Sequence, residues 1–378
     1  MKRVWIALLL LLSRWALAEP GQARPAQRDG RPPGCAENWP ANSRREWSSL
    51  ASDRPHDWGQ FLAQPWPYWD KVFQRTHGWN GADGAYSVGL DGGWTGWLFS
   101  DTFVGKVAAD GSRHASQFIH NSWARIHGSR PSIHFFGTEE VAHGSSESWF
   151  WVYQPVLDSG QQGWLFLGEF ATSPDGPEGL NFQQVGSWLA PLDWTGHAPK
   201  LGTKLRVPHF ETKPALNFGA AVLADPDYFW VYGTRDFGDH KEVVLARVPG
   251  GELDHFGSWE FWPKWDHDLK SARPLLAEAS NELTVFRHRQ EVRLLTQVGS
   301  EVRLYRGQTP DNFKEFVVLA RLPEEDGVTT YNAKAHPELG WPLLITYNRN
   351  AFPPERVMQK ADRYRPRCLC LARDPWLP

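Results

Sequence analysis

Asp83 and Asp101 are the residues of this chain best placed to do chemistry. They close the two ends of a hairpin-like stretch within GADGAYSVGLDGGWTGWLFSDTF, residues 81 to 103. Ala85 to Leu90 reads as one strand and Gly96 to Ser100 as its partner, with Asp91-Gly92-Gly93 supplying the positive-φ positions of a tight reversal. A hairpin centred on Gly92 opposes residues whose numbers sum to 184, as those of Asp83 and Asp101 do. Directly opposed residues hold their Cβ atoms roughly 4.5–5.5 Å apart. Two carboxylates at that range repel, and such a pair splits into one acid that keeps its proton and one that gives it up. Hydrolysis of a glycosidic bond needs that combination: a carboxylic acid protonates the leaving oxygen while a carboxylate attacks or activates water. The plainer reading is a pair of turn caps, since Asp is common at strand ends. A one-residue bulge would also undo the opposition.

Other polar residues fall at the open ends of comparable hairpins and are expected to bind substrate. Asn217 enters FGAAVLADPDYFWVYGTRD and Arg235 leaves it, either to orient a hydroxyl or to pair with Asp236. Asn332 and Lys334, two apart and so on one strand face, enter YNAKAHPELGWPLLITYNRN. His336 follows them and lines the funnel, unless it is a core histidine. Asn121 in HNSWARI binds a hydroxyl or caps a turn. Glu169 and Glu211 are reserve acids or solvated loop residues. No Ser-His-Asp order, phosphate-binding glycine loop or Cys/His metal spacing is present. The expected chemistry therefore needs no cofactor, with structural calcium the one ion the acidic pair would suit.

The elements that must position these residues are strands. Apolar runs at 149–156, 163–169, 218–224, 228–234, 242–248, 282–287, 291–297, 301–306, 330–335 and 342–348 alternate with turn clusters, and long helical periodicity is absent. One loose unit recurs: a small-residue strand, a short turn, then an aromatic strand ending in a polar residue. GAYSVGLDGGWTGWLFSDT and the two stretches quoted for Asn217 and Asn332 are three copies of it. About 320 residues in units of roughly 60 predict an all-β, five-bladed β-propeller over residues 46–366, with a single large sandwich as the alternative. Residues 367–378 read as a tail, and a helix broken at Pro55 is expected over 44–63.

The start of the chain reads as an export signal over residues 1–18: Lys2 and Arg3, an apolar run from Trp5 to Leu12, then Ala16-Leu17-Ala18. Residues 19–45, rich in Pro and Gly, read as a linker or strap. The expected location is secreted or periplasmic, with no transmembrane segment. Removing Lys2, Arg3 and Arg14 leaves 37 basic against 43 acidic residues, a net charge of −6 that argues against nucleic acid as partner. Of the three cysteines, a bridge from Cys35 to Cys368 or Cys370 would tie the two ends together. Most of the 22 Trp read as structural, packed between sheets, while Trp beyond what a core needs offers flat surfaces on which sugar rings stack. Trp58, Trp66, Trp69, Trp79, Trp94 and Trp194, in loop-like contexts, are the expected platforms for sugar rings.

GADGAYS with WLFSDTFVG, FIHNSWARI, NFGAAV with YFWVYGTRD, and YNAKAHPELG with LLITYN together resemble five-bladed propellers of the domain-of-unknown-function 4185 type. That group is similar to the endo-D-arabinanases of glycoside hydrolase family 183 and, in fold, to families 43 and 32. The resemblance covers roughly residues 75 to 350. It implies that the family's paired acids fall on Asp83 and Asp101, although Ser100 stands where relatives commonly carry Gly. The expected function is hydrolysis of a polysaccharide, of arabinan or another furanoside type, by carboxylate acid/base chemistry. The alternatives are a non-catalytic carbohydrate-binding propeller and, more remotely, a structural module of the cell envelope.

Overall fold

The first hairpin has the register its turn dictates. Tyr86 pairs with Leu98, Ser87 with Trp97 and Val88 with Gly96, around a turn in which Gly92 and Gly93 take φ of 68° and 78°. The computed structural model describes Cys35 and residues 58–174 and 180–377. The expected signal, most of the strap and the helical reading as far as residue 57 lie outside these. Where that helix was expected to end, a single 3-10 turn at Trp58–Gln60 leads into a strand at Ala63–Pro65.

Among the described residues the strands form six sheets. Five follow one scheme, in which strands pair antiparallel from a first, inner strand outward; in the first of them Trp94–Phe99 pairs with Ser122–His127, two strands of the sixth sheet lying between them in sequence. Those inner strands are Tyr86–Gly89, Ser148–Leu157, Leu216–Ala224, Leu283–His288 and Val328–Ala335, and each lies beside the next. Sheets arranged around adjacent inner strands make this all-β fold a β-propeller. The last sheet adds Leu343–Ala351 and Arg367–Leu371 and is completed by Ala63–Pro65 from the other end of the chain. The propeller thus extends past residue 366, because Arg367–Leu371 is a buried strand rather than a tail. Cys370 on that strand is bridged to Cys35, and Cys368 is free and buried.

The sixth sheet, His77–Ala82 with Thr102–Val107 and Arg113–Ile119, is an outward continuation of the first hairpin. Gly81 pairs with Phe103 and Ala82 with Thr102, the same register as the inner ladder, so the two form one long hairpin interrupted around Asp83 and Asp101.

The three sequence copies share a feature beyond strand order. Each inner strand breaks its ladder where one or two residues take positive φ: Gly84 and Ala85 (80° and 58°), Gly219 (100°) and Asn332 (58°). Bulges re-aim the chain at sheet ends and next to sites. In the first two copies it follows Asp83 and Asn217, and in the third it falls on Asn332 itself, ahead of Lys334.

A short helix, Pro67–Phe73, fills the space between the first and last sheets. Its Trp69 and Phe73 pack with Trp66, Trp79, Trp97 and Phe99, together with Leu344 and Cys370 of the last sheet. Burying a large apolar side chain of this kind contributes about 1.5–3 kcal/mol. Trp66, Trp69, Trp79 and Trp194 are therefore core residues (at most 4% exposed), not sugar platforms. Trp94 is half-buried between Phe135, His127 and Arg125. No helix among the described residues is long and apolar enough to cross a membrane.

Candidate active site

Asp83 and Asp101 occupy the interruption in the long hairpin. Asp83 N–H donates to Asp101 O at 3.2 Å, and Ser100 N–H donates to Asp83 O at 3.0 Å. Two residues thus oppose one, and the direct face-to-face pairing is replaced by a bulge. Gly84 makes the bulge feasible, since its φ is positive and a Cβ there would lie 2.9 Å from Ser100 N.

The two carboxyl groups sit in different surroundings. Asp83 Oδ2 accepts hydrogen bonds from the hydroxyls of Tyr364 (2.8 Å) and Tyr331 (2.9 Å), while Oδ1 is buried with no partner. Burial, and then the Asp101 charge, push the Asp83 pKa up to about 7 against the pull of the two tyrosines and Lys334. Asp101 receives both its donors on Oδ1, from His120 Nδ1 (2.9 Å) and Trp151 Nε1 (2.8 Å). Burial raises its pKa too, His120 and Trp151 lower it, and Glu140 raises it. A buried carboxyl oxygen without a partner is costly when ionised, so Asp83 is the natural holder of a proton, on Oδ1. Asp101, with two N–H donors on one oxygen, is the natural carboxylate.

The partners are held in turn. The segment carrying Tyr364 is fastened by Arg113, which donates to the carbonyls of Val357, Ala361 (2.9 Å) and Tyr364 (2.9 Å) and to Asn80 Oδ1 (2.8 Å). Arg365 ties it to the carbonyls of Asn80 and Arg75. This contact explains Gly81 of the Gly-Ala-Asp element, where any Cβ would collide with the Tyr364 carbonyl and the Arg113 guanidinium. On the other side His120 stacks on Trp149, 4.7 Å between centroids and 18° between planes, and its backbone N–H donates to Glu140 Oε1 at 2.9 Å.

Of the residues expected to bind substrate, Lys334 is the one whose charge acts on Asp83. It is buried, ion-paired to Glu282, and 4.0 Å above the Tyr86 ring. Asn332 donates to the same Glu282 at 2.7 Å. His336 is fully buried, between Ser87 Oγ (2.5 Å), Thr346 Oγ1 (2.8 Å) and the Trp97 ring. It lines a cavity of about 60 Å³ with Lys334, Gln154 and Glu338 rather than an open funnel. Asn217 Oδ1 accepts from Gln184 and Ser187.

The remaining expected residues are committed elsewhere. Asn121 donates to the carbonyls of Ala142 and Phe150 and accepts from the N–H groups of Val141 and Ala142, which uses its whole amide. It is a fastening of the fold and has nothing left for a sugar. Arg235 faces Glu242 at 4.0 Å, not Asp236, which pairs with Lys241. Glu211 is an exposed partner of Arg206. Glu169 accepts from Ser148 and Trp188 and pairs in register with Phe150. Phe150 and the Trp151 that touches Asp101 are consecutive, so Glu169 lies on the opposite face of that sheet.

Sequence reasoning missed Tyr331, Tyr364, His120, Trp151, Trp149 and Glu282. His120 stood beside the chosen Asn121, and only strand alternation could have exchanged one for the other. Among the described residues no group of three or more His, Cys, Asp or Glu is placed to hold a metal ion.

A family model described as Domain of unknown function (DUF5005) matches residues 67–372. No functionally curated protein matches the chain significantly. Among solved structures, a presumed hydrolase of Bacteroides ovatus ATCC 8483 superposes with a TM-score of 0.66 at 19% identity, covering 89% of this chain and 96% of its own. A family 117 glycoside hydrolase of Zobellia galactanivorans gives 0.49 at 12% identity (86% and 91% covered). A GH43_1 enzyme of Xanthomonas citri, solved with xylose, gives 0.43 at 11% (88% and 94%). At such identities the first likeness is one of fold.

Proposed function

This chain belongs to the family described as Domain of unknown function (DUF5005), and from that premise we propose that it is an exported glycoside hydrolase acting on a polysaccharide. The observation that carries the reading is the asymmetry of the two carboxyl groups. Asp83, its pKa about 7 so that it keeps a proton near neutrality, is suited to protonate a leaving glycosidic oxygen. Asp101, held by two N–H donors on one oxygen, keeps its other oxygen for the opposite half of the reaction, attack at the anomeric carbon or activation of water. The motif resemblance supports the same pair and a furanoside substrate of the arabinan type. Lys334, whose charge acts on Asp83, is held by Glu282, which also accepts from Asn332. The Cys35–Cys370 bridge is compatible with export.

The test is release of reducing ends from a panel of plant, algal and bacterial polysaccharides, arabinans included, by the purified mature protein. Release from at least one member supports the hydrolase. Binding to a member with no release from any supports the carbohydrate-binding alternative.

A further inference from the structure

Resting on the hydrolase reading above, we propose that His120 takes the proton of the attacking water, so that Asp101 and His120 act together as the general base and the anomeric configuration is inverted. The His120 ring is fixed on several sides. Its Nδ1 lies 2.9 Å from Asp101 Oδ1, its face stacks on Trp149, and its edge meets Phe118 at 5.7 Å and 87°. Its backbone is anchored by Glu140. A carboxylate only accepts, so Nδ1 carries the hydrogen and the neutral ring presents its lone pair at Nε2. No protein group among the described residues hydrogen-bonds Nε2. The His120 side chain is 31% exposed against 14% for Asp101, so the histidine is the member of the dyad that meets solvent.

The step balances without a further reactant. Water oxygen bonds to the anomeric carbon as its proton passes to Nε2. The glycosidic C–O bond breaks, its electron pair goes to the leaving oxygen, and that oxygen takes the proton from Asp83. The imidazolium then returns its proton to solvent, and Asp83 regains one. Asp101 bonds the ring directly, Glu140 accepts from the backbone N–H of His120, and His143 lies 3.5 Å from the other oxygen of Glu140. The positive charge formed on the ring therefore lies against the Asp101 carboxylate, as in other carboxylate–histidine pairs.

His120→Asn separates this role from simple positioning, because its amide N–H replaces Nδ1 toward Asp101 while Nε2 is lost. With a thermal melt confirming folding, the proposal expects kcat to fall about 10²–10⁴-fold with KM little changed. It also expects the first-formed sugar to be the inverted anomer by proton NMR, and nitrogen NMR of the wild type to show the Nδ1–H tautomer, lost in Asp101→Asn. Near-wild-type turnover in His120→Asn, a retained anomer, or the Nε2–H tautomer would each overturn it while leaving the hydrolase reading standing. Absence of release by the wild type on every polysaccharide would overturn both.

Discussion

The hydroxyl of Tyr364 donates to Asp83 Oδ2 at 2.8 Å across 281 residues of sequence. A residue between the last two strands of the chain thus completes the surroundings of an acid in its first hairpin. Tyr331, on the inner strand of the last sheet, makes the matching bond at 2.9 Å. Ring closure is what brings these groups together, and the Arg113 anchor holds them there.

Tyr364→Phe removes a donor that favours the charged form of Asp83. The Asp83 pKa, about 7 in the intact protein, then rises. If Asp83 is the acid, activity is lost as it gives up its proton, so the alkaline limb of kcat/KM should move to higher pH. A pH–rate profile of both proteins checks this, and an unmoved limb would remove Asp83 from the role of acid.

Arg113→Met leaves the carbonyls of Val357, Ala361 and Tyr364 without their shared donor in a buried place. Unpaired buried groups cost about 1–3 kcal/mol each, so urea unfolding should show a loss of at least about 2 kcal/mol. Turnover of the folded fraction should also drop, since Tyr364 is no longer held on Asp83.

Asp83→Asn should be more stable relative to wild type in alkali than in acid. A carboxyl whose folded pKa lies near 7, above its unfolded value, binds its proton more tightly in the native state. Wild-type stability from this group is intact below the unfolded pKa of about 4 and is lost as pH rises toward the folded value. The neutral amide has no such loss. Thermal melts between pH 4 and pH 8 should therefore show the Tm of the variant gaining on wild type as pH rises.

Asn121→Ala tests a reassignment. Four hydrogen bonds join its amide to backbone groups of residues 141, 142 and 150. Stability should fall by about 2–4 kcal/mol, while KM of the folded enzyme should stay close to wild type. A large rise in KM with little loss of stability would restore the sugar-binding role.

What was legible in the sequence was local. Asp91-Gly92-Gly93 fixed a turn, the turn fixed the register, and the register led to Asp83 and Asp101 because both lie within a dozen residues of Gly92. Most strand runs from 148 to 351 were likewise readable, but Phe182–Asp193 and Phe313–Arg321 were not among those expected. The bulge at Ser100 and Asp101 was not, because it depends on Gly84 fitting against Ser100. The tyrosines were invisible for a different reason: ring closure, not spacing, carries Tyr331 and Tyr364 to Asp83. Trp66, Trp69, Trp79 and Trp194 misled because their neighbours in sequence are loop-like while their neighbours in space are other aromatic rings and apolar side chains. Lys334 was chosen for alternation with Asn332, yet the bulge between them and the pairing with Glu282 bury it.

The most direct test of the central claim is the kcat of Asp83→Asn, Asp101→Asn and the double variant on whichever polysaccharide the wild type cleaves. If the two carboxyls form one acid/base unit, each single variant should lose about 10²-fold or more with its fold intact. The double variant should then lose far less than the product of the two, because groups that act as a unit are not additive. Near-wild-type cleavage by either single variant would contradict the account and place the chemistry away from this hairpin.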